Sequence, residues 1–242
     1  STSRFQLPTS DFGSPTSIHF LGICGTAMGS VAAAMQDGGF IVSGQDDNVY
    51  PPMSTFLESK GVVITKGFRP EDIPAADLIV IGNAMSRGNP AVETVLNRKL
   101  PYLSLPEVLK QFFLRGRHNL VVAGTHGKTT TTSLLAWIFE SAGEAPSYLI
   151  GGLPENLGQG ACLRDSKGDE YDTAFFAKRS KFVHYLPELV ILNNIEFDHA
   201  DIYKDLEEIK TSFRRLLNIV PGEGMVLVNA DDPNCVDVSK NC

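Results

Sequence analysis

The segment 119–132 has the residue types needed to hold a nucleoside triphosphate. It reads NLVVAGTHGKTTTT, an apolar run followed by two glycines, a lysine and four threonines. Gly124 and Gly127 let the backbone turn tightly enough for its N–H groups to face phosphate oxygens. Lys128 supplies a mobile cation for the β- and γ-phosphates, and the Thr129 hydroxyl can ligate the accompanying Mg²⁺. The segment predicts a phosphate loop for ATP or GTP between a strand and a helix.

The spacing of this loop departs from the general pattern G-x-x-x-x-G-K-[ST]. Val122 stands where that pattern places its first glycine, and the glycine is Gly124 instead. The flanking context fits the pattern, because an apolar strand precedes the loop and apolar residues between 134 and 139 recur at helical spacing. An ordinary glycine-rich turn between a strand and a helix is the alternative interpretation.

Acidic and histidine side chains further along could ligate metal ions beside the loop. Asp169, Glu170 and Asp172 lie in the segment GDEYD, and a carboxylate near a magnesium triphosphate is an ordinary ligand. A solvated acidic turn is compatible with the same composition. His199 lies between two aspartates after an apolar run, which suits a second metal ion, a general base, or a structural or surface histidine.

The apolar run 189–194, LVILNN, predicts a buried strand that ends in two asparagines. Ligands of open α/β sheets bind at the carboxyl ends of the strands. The side chains of Asn193 and Asn194 could therefore bond the edge of a nucleotide base, or they could cap the turn.

A second pattern of strand, glycine turn and helix lies nearer the N-terminus. Residues 18–36 predict a buried strand, a turn at Gly22 and Gly25, and a helix of small residues. The dinucleotide fingerprint G-x-G-x-x-G is not met, because Cys24 and Ala27 occupy the places of its second and third glycines. The pattern therefore argues for a nucleotide-binding unit that does not bind NAD.

Polar residues follow another predicted strand of this region, at 78–81. They are Asn83, Ser86, Arg87 and Asn89. The loop after a parallel strand is where ligands are contacted. Arg87 could pair with a diphosphate, although an arginine on a protein surface is also ordinary.

Strand and helix patterns alternate along the chain. Further strands are predicted at 40–43, 62–65 and 225–229, and helices at 53–59, 91–98, 105–114 and 205–217. This alternation predicts an α/β fold with parallel sheets and crossover helices. Residues 1–17, rich in Ser, Thr and Pro, predict a flexible tail. The polar run 115–118 predicts a boundary between a domain at 18–115 and a domain at 119–242.

Composition excludes several classes of protein. The 242 residues carry a net charge of −7, which argues against a general nucleic-acid binder because phosphate neutralisation needs a basic surface. Apolar runs stay below the ~18 residues of a membrane span, and the N-terminus has no signal pattern, so we expect a cytoplasmic protein that does not contact a membrane. The four cysteines lack zinc-site spacing and are expected to be reduced.

Taken in order, four motifs resemble those of the Mur ligase family, the ATP-dependent enzymes that couple amino acids or peptides to UDP-N-acetylmuramate. They are GICGTAMGS at 22–30, AGTHGKTTTT at 123–132, NNIEFDHAD at 193–201 and NADDP at 229–233. The short G-x-x-G-K-T spacing is the family's own form. The resemblance covers residues 18–234 and implies a Rossmann-like N-terminal domain followed by a P-loop ATPase-like central domain.

Segments between these motifs resemble one branch of the family. They are SGQDDNVYPPMSTFLE at 43–58, IGNAMSRGNP at 81–90, LPEVLKQFFLRG at 105–116 and GDEYDTAFF at 168–176. That branch attaches the recycled tripeptide L-alanyl-γ-D-glutamyl-meso-diaminopimelate. The alternatives are the L-alanine-adding ligase, and a non-catalytic module that binds a nucleotide or a UDP-sugar.

The resemblance implies ATP and Mg²⁺ as cofactors. The lactyl carboxylate of UDP-N-acetylmuramate would be phosphorylated and then attacked by the amine of the peptide, with Lys128, His199 and Glu170 as the catalytic side chains. Thr129, His199 and Glu170 would bind metal. The nucleotide would lie against Gly124, Thr125, His126, Gly127, Lys128, Thr129, Thr130 and Asn194, with Asn194 near adenine and His126 facing the sugar. UDP-N-acetylmuramate would lie against Gly22, Gly25, Thr26, Ala27, Met28, Asp46, Asn83, Ser86, Arg87 and Asn89.

The sequence departs from the family's pattern in two places. The family has an apolar strand ending in a metal-binding glutamate directly before the GDEYD segment, whereas Asp165, Ser166 and Lys167 stand there, so Glu170 is the candidate substitute. The family's third domain, which binds the amine, has no counterpart in these residues. We therefore expect the chain to bind its nucleotide ligands without completing ligation.

Overall fold

A computed structural model describes residues 16–152, 154–164, 173–176, 184–197 and 204–240, with the backbone alone at 173–176. The chain divides into two compact units. Residues 16–112 and 159–164 form the first, and the described residues from 113 to 158 and after 172 form the second. Among the described residues, no helix is long and apolar enough to cross a membrane.

The first unit is a parallel sheet with the strand order β3–β2–β1–β4–β5. Its elements are β1 (Ser17–Leu21), α1 (Thr26–Asp37), β2 (Ile41–Asp46), α2 (Met53–Ser59), β3 (Val63–Lys66), β4 (Leu78–Ile81), α3 (Pro90–Asn97) and β5 (Tyr102–Ser104). A 3-10 turn occurs at Pro70–Asp72. The central strand β1 has a neighbouring strand on each side, and its residues Ile18 and Phe20 are fully buried. Strands of parallel sheets are covered on both faces, which accounts for the apolar residues here.

Small residues let α1 lie close to its neighbours. All residues from Met28 to Met35 are buried, and a Cβ on Gly29 would lie 2.4 Å from Sδ of Met53 at the start of α2. The position therefore requires glycine, because the adjacent helix occupies the space of a side chain.

After β5, the helix α4 (Leu105–Val108) continues as a π-helical segment at Leu109–Leu114. The elements that follow are β6 (Asn119–Ala123), α5 (Lys128–Ala142), β7 (Ser147–Leu149), β8 (Ala161–Cys162), β9 (Thr173–Phe176), β10 (Leu189–Leu192), α6 (Leu206–Leu217), β11 (Met225–Val228) and α7 (Pro233–Ser239). In the second unit the strands run β11–β10–β6–β9–β7, each parallel to its neighbours. The two-residue strand β8 contacts α1 and belongs to the first unit.

The α/β fold with parallel sheets is confirmed, and the predicted strands and helices occur within a few residues of their expected bounds. Three differences concern element ends and short elements. The helix α7 was not predicted, and it has Asp232 as its N-cap and Pro233 in its first turn. The strands β5, β7, β8 and β9 were missed because two to four residues are too few for a periodic pattern. Residues 159–164 group with the first unit rather than with the second.

Thr16 and Ser17, the last two residues of the predicted tail, are held at the start of β1. Residues 1–15 lie outside the described structure. Asp77, just before β4, accepts hydrogen bonds from the backbone N–H groups of Thr16 and Ser17, both at 2.9 Å, and from both hydroxyls. These hydrogen bonds lower the pKa of Asp77 to about 2. They fix the start of β1 beside β4.

The buried His19 in β1 generates a prediction on acid stability. The side chain is 2% exposed, and its Nδ1 lies 2.8 Å from the Ser43 hydroxyl. Burial lowers the pKa of the imidazole from 6.5 to about 4, although the side chain of Gln45 opposes this. Between pH 6.5 and pH 4, His19 is therefore protonated in the unfolded chain but stays neutral in the folded protein. We expect the free energy of unfolding to fall by about 3 kcal/mol as the pH drops from 6.5 to 4.

Calorimetry of the wild type and His19→Asn at pH 7 and pH 4.5 checks this. The variant should lose stability at both pH values, because its amide packs less well, but the difference between the two pH values should shrink. An equally large difference in the variant would show that other groups cause the acid sensitivity.

Candidate functional site

The turn between β6 and α5 has the geometry of an anion-binding loop. Gly124 has φ 143° and Gly127 has φ 78°, values that side-chain-bearing residues rarely adopt. The helix α5 starts at Lys128, and no described side chain caps it. The first N–H groups of a helix have no partner within the helix, so this uncapped end offers several donors and a positive dipole end to an anion.

Gly124 packs directly on the segment that follows β10. A Cβ at this position would lie 3.1 Å from both N and O of Asn194 and 3.2 Å from Cβ of Asn193. Contacts this short are tighter than ordinary packing, and the positive φ adds strain for any other residue. Glycine is therefore required for the loop to lie flat against this segment.

The backbone and side chain of Asn194 hold the loop in place. Its backbone oxygen accepts from Thr125 N at 2.9 Å, its Oδ1 accepts from His126 N at 2.8 Å, and its Nδ2 donates to His126 O at 3.4 Å. The resemblance placed this amide near adenine. In the structure both polar atoms of the side chain brace the loop, which is the turn-holding role that the sequence left open.

Three further contacts join the loop and helix to the same segment. The Thr125 hydroxyl donates to the Glu196 backbone oxygen at 3.2 Å and accepts from Glu196 N at 2.9 Å. The Asn193 side chain donates to the Thr131 hydroxyl at 3.0 Å. His126 Nε2 lies 3.9 Å from a carboxylate oxygen of Glu196, and both side chains are exposed. The segment 193–196 thus contacts the loop and the first turn of α5.

Lys128 lies over its own loop. Its Nζ donates to the backbone oxygens of Gly124 at 2.7 Å and Thr125 at 2.6 Å. The ammonium charge is therefore held at the loop, where it can neutralise a bound phosphate. Thr129 and Thr130 are exposed in the first turn of α5, and the Thr129 hydroxyl is in the right position of the motif for a Mg²⁺ ligand.

A turn at residues 229–234, which contains the NADDP motif, holds the segment after β10. Asp232 Oδ2 accepts from Ile195 N at 2.8 Å, and Asn234 Nδ2 donates to Ile195 O at 2.8 Å. Asn229 Nδ2 donates to Asn193 O at 2.9 Å. A cavity of about 450 Å³ lies beside these residues at the ends of β10 and β11, lined by residues 191–194 and 227–229.

The Asp232 carboxylate also caps α7. Its Oδ1 accepts from Asn234 N at 2.8 Å and from Cys235 N at 3.1 Å. Burial acts to raise the pKa of Asp232, but the hydrogen bonds from Ile195, Cys235 and Asn234 outweigh it and lower the pKa. The group is therefore charged at neutral pH. The sequence indicates this cap, because an aspartate directly before a proline is typical of a helix start.

In the first unit, the glycine turn after β1 is held by residues of β2. Gly22, with φ 85°, donates its N–H to Gln45 O at 2.8 Å. The Asp46 carboxylate accepts from Cys24 N at 2.9 Å and from Asn48 N at 2.8 Å. Asp46 is only 7% exposed, so it braces the turn and does not offer a free carboxylate to a ligand.

The helix α1 begins beside this turn at Thr26 without a side-chain cap. Thr26 is exposed, Ala27 is half-buried and the Met28 side chain is buried. A ligand could therefore meet the backbone N–H groups here but not the Met28 side chain. Burial and the carboxylates of Asp46 and Glu58 raise the pKa of the Cys24 thiol to about 11, so it is protonated at neutral pH and not a nucleophile.

The loop after β4 faces the glycine turn. Gly82 N donates to Leu21 O at 3.0 Å, and Met85 Cε would lie 3.5 Å from a Cβ on Gly22. Strands β2 and β4 flank β1 on opposite sides, so this is the point where the strand order reverses and ligands of such sheets bind. The oxygen of Asn89 caps α3 by accepting from Ala91 N and Val92 N.

Asn83, Ser86 and Arg87 are exposed on this loop. The structure thus brings the predicted substrate residues together at one edge of the first sheet. Asn89 lies on the same loop, where its side-chain oxygen caps α3.

The predicted metal ligands Glu170 and His199, with their neighbours Asp169, Asp172 and Asp198, lie outside the described residues. Within the described ranges, no group of three His, Cys, Asp or Glu side chains could hold a metal ion. Thr129 is therefore the one predicted metal ligand whose surroundings are described. Glu196, Asn229, Asp232 and Asn234 are contacts that sequence reasoning did not assign to the site.

Comparisons with known proteins identify the relatives of the chain. The profile of the Mur ligase family, catalytic domain, matches residues 17–117, and the profile of the Mur ligase middle domain matches residues 122–241. A ligase from Escherichia coli (strain K12), named UDP-N-acetylmuramate--L-alanyl-gamma-D-glutamyl-meso-2,6-diaminoheptandioate ligase, is 52% identical over 223 residues, which are 90% of this chain and 49% of the relative. The chain spans about half the length of the curated relatives it matches.

Solved structures give the same result. UDP-N-acetylmuramate:L-alanyl-gamma-D-glutamyl-meso-diaminopimelate ligase from Neisseria meningitides matches with a TM-score of 0.84 and 45% identity, over 93% of this chain and 74% of that chain. A murein peptide ligase from Psychrobacter arcticus 273-4 matches with a TM-score of 0.81 and 40% identity, over 92% of this chain and 51% of that chain. The two profiles together with the 45% identity to the Neisseria structure, 74% of which is covered, show that the chain belongs to the Mur ligase family.

Proposed function

We propose that this chain provides the nucleotide-binding units of an ATP-dependent ligase that joins L-alanyl-γ-D-glutamyl-meso-diaminopimelate to UDP-N-acetylmuramate. The observation that carries the proposal is the loop 124–127, which is braced by Asn194 and opens onto the uncapped start of α5. The names of the relatives at 45–52% identity support the choice of substrates.

The second unit is proposed to bind ATP. The backbone N–H groups from Gly127 to Thr130 would bind the phosphates, and Lys128 would neutralise their charge. The adenine ring would occupy the cavity of about 450 Å³ that Asn194 helps to line. Asn194 would then lie close to the ring. Bound Mg²⁺ would stabilise negative charge on the transferred phosphoryl group. Thr129, with His199 and Glu170, would hold that metal.

The first unit is proposed to bind UDP-N-acetylmuramate. Its diphosphate would meet the N–H groups at Gly25, Thr26 and Ala27. Asn83, Ser86 and Arg87 would contact it from the loop after β4. Asp46 would contribute by shaping the turn.

Lys128→Ala tests the ATP site. Loss of a charge-assisted contact of ~1.5–3 kcal/mol should weaken ATP–Mg²⁺ binding about 10- to 100-fold, because the phosphates lose their nearest cation. Titration calorimetry measures this, and UDP-N-acetylmuramate binding should not change. Lys240→Ala removes an equal charge from an exposed ion pair of the same unit and should leave both affinities at wild-type values. Equal ATP affinity in Lys128→Ala and wild type would refute the assignment.

Arg87→Ala tests the substrate site in the first unit. Removal of the guanidinium should weaken UDP-N-acetylmuramate binding about tenfold, since an exposed arginine–phosphate contact is partly screened by water. ATP binding should stay the same. Arg98→Ala, at the exposed C-terminal end of α3, is the matched control. If both arginine variants bind UDP-N-acetylmuramate as the wild type does, the loop after β4 does not contact the diphosphate.

A further inference from the structure

We propose that Asp232 is a positioning residue for nucleotide binding, which keeps the phosphate loop in shape through residues 193–196 without touching the loop. This inference rests on the proposed function of the second unit as an ATP site. It assigns a role in ligand binding to a turn whose residues make no described contact with the loop itself.

The Asp232 carboxylate joins two elements. Its Oδ1 satisfies the backbone N–H groups of Asn234 and Cys235 at the start of α7, while its Oδ2 accepts from Ile195 N at 2.8 Å. One oxygen is sufficient for a helix cap. The second oxygen is used to hold the segment after β10.

Two asparagines of the same turn complete the attachment. Asn234 donates to Ile195 O at 2.8 Å, so both backbone polar groups of Ile195 are bound by this turn. Asn229 donates to Asn193 O at 2.9 Å. Ile195 itself is fully buried. The segment 193–195 therefore has its position set by residues 229–234.

That segment in turn sets the position of the phosphate loop. Thr125 N and His126 N both donate to Asn194, and the Thr125 hydroxyl bonds the backbone of Glu196. Gly124 packs so closely that a Cβ would lie 3.1 Å from Asn194 N. Gly124 and the backbone of Asn194 are already in close contact, so a shift of Asn194 by a few tenths of an ångström must move the loop.

The variant Asp232→Asn distinguishes the role of Asp232 as the N-cap of α7 from its hydrogen bond to Ile195 N. Asparagine is as good a helix cap as aspartate, but its side chain has one oxygen and one NH₂ group, so a donor must face either Ile195 N or the cap N–H groups. We expect ATP–Mg²⁺ to bind roughly tenfold more weakly and the amides of Thr125 and His126 to exchange faster with solvent. The affinity for UDP-N-acetylmuramate, bound by the other unit, should stay at the wild-type value.

Asp205→Asn is the matched control. Asp205 caps α6 in the same unit by accepting from Glu208 N at 2.9 Å, and it makes no described contact with residues 193–196. This variant should change neither ATP affinity nor the exchange of Thr125 and His126. If Asp232→Asn folds poorly, Asn234→Ala removes the bond to Ile195 O and leaves the Asp232 cap in place, and it should weaken ATP binding in the same direction, about threefold.

The outcomes separate this inference from the function on which it rests. If the wild type fails to bind ATP–Mg²⁺, the proposed function is wrong, and the exchange rates of Thr125 and His126 alone decide whether Asp232 positions the loop. Unchanged exchange and unchanged ATP affinity in Asp232→Asn overturn the positioning role. Equal losses of ATP affinity in Asp232→Asn and Asp205→Asn overturn it too, since they would reflect only lower stability.

Discussion

The close approach of Gly124 to the backbone of Asn194 is the constraint on which the second unit depends. A side chain on Gly124 would lie 3.1 Å from N and O of Asn194, so only glycine lets the loop reach the end of β10. At that distance Thr125 N and His126 N meet the oxygens of Asn194. The remaining N–H groups at the start of α5 then face outward together, which is the arrangement that binds an anion.

Both units hold their loops in the same way. In each, a polar side chain at or just after the carboxyl end of a neighbouring parallel strand accepts an N–H from the loop: Asp46 from Cys24 in the first unit, and Asn194 from His126 in the second. The two acceptors differ in charge. A neutral amide beside the proposed triphosphate would avoid the repulsion that a carboxylate would cause, whereas the carboxylate of Asp46 is buried and bonded to two N–H groups.

The fold and the phosphate loop could be predicted from the sequence because both depend on local patterns. The apolar run before Gly124 and the glycine and lysine spacing after it determine a strand, a turn and a helix start. The Asn89 cap of α3 could have been predicted as well, since an asparagine directly before a proline is a typical helix start.

The bracing of the loop could not be predicted in this way. Asn194 and Asp232 bond backbone groups that are 68 and 37 residues away in the chain, and only the strand order β11–β10–β6 brings those groups together. The choice between a base contact and a turn contact for Asn194 also depends on this order. The hydrogen bond from Ile195 N to Oδ2 of Asp232 likewise forms only because β11 and β10 are neighbours in the sheet.

Hydrogen exchange of the 242-residue chain with each ligand tests the central claim, that the two units bind different nucleotides. ATP–Mg²⁺ should protect the amides of residues 124–130 and leave the first unit unchanged. UDP-N-acetylmuramate should protect residues 22–28 and 82–89 and leave the phosphate loop unchanged. Protection of the same residues by both ligands, or protection of the first unit by ATP–Mg²⁺ alone, would contradict the account.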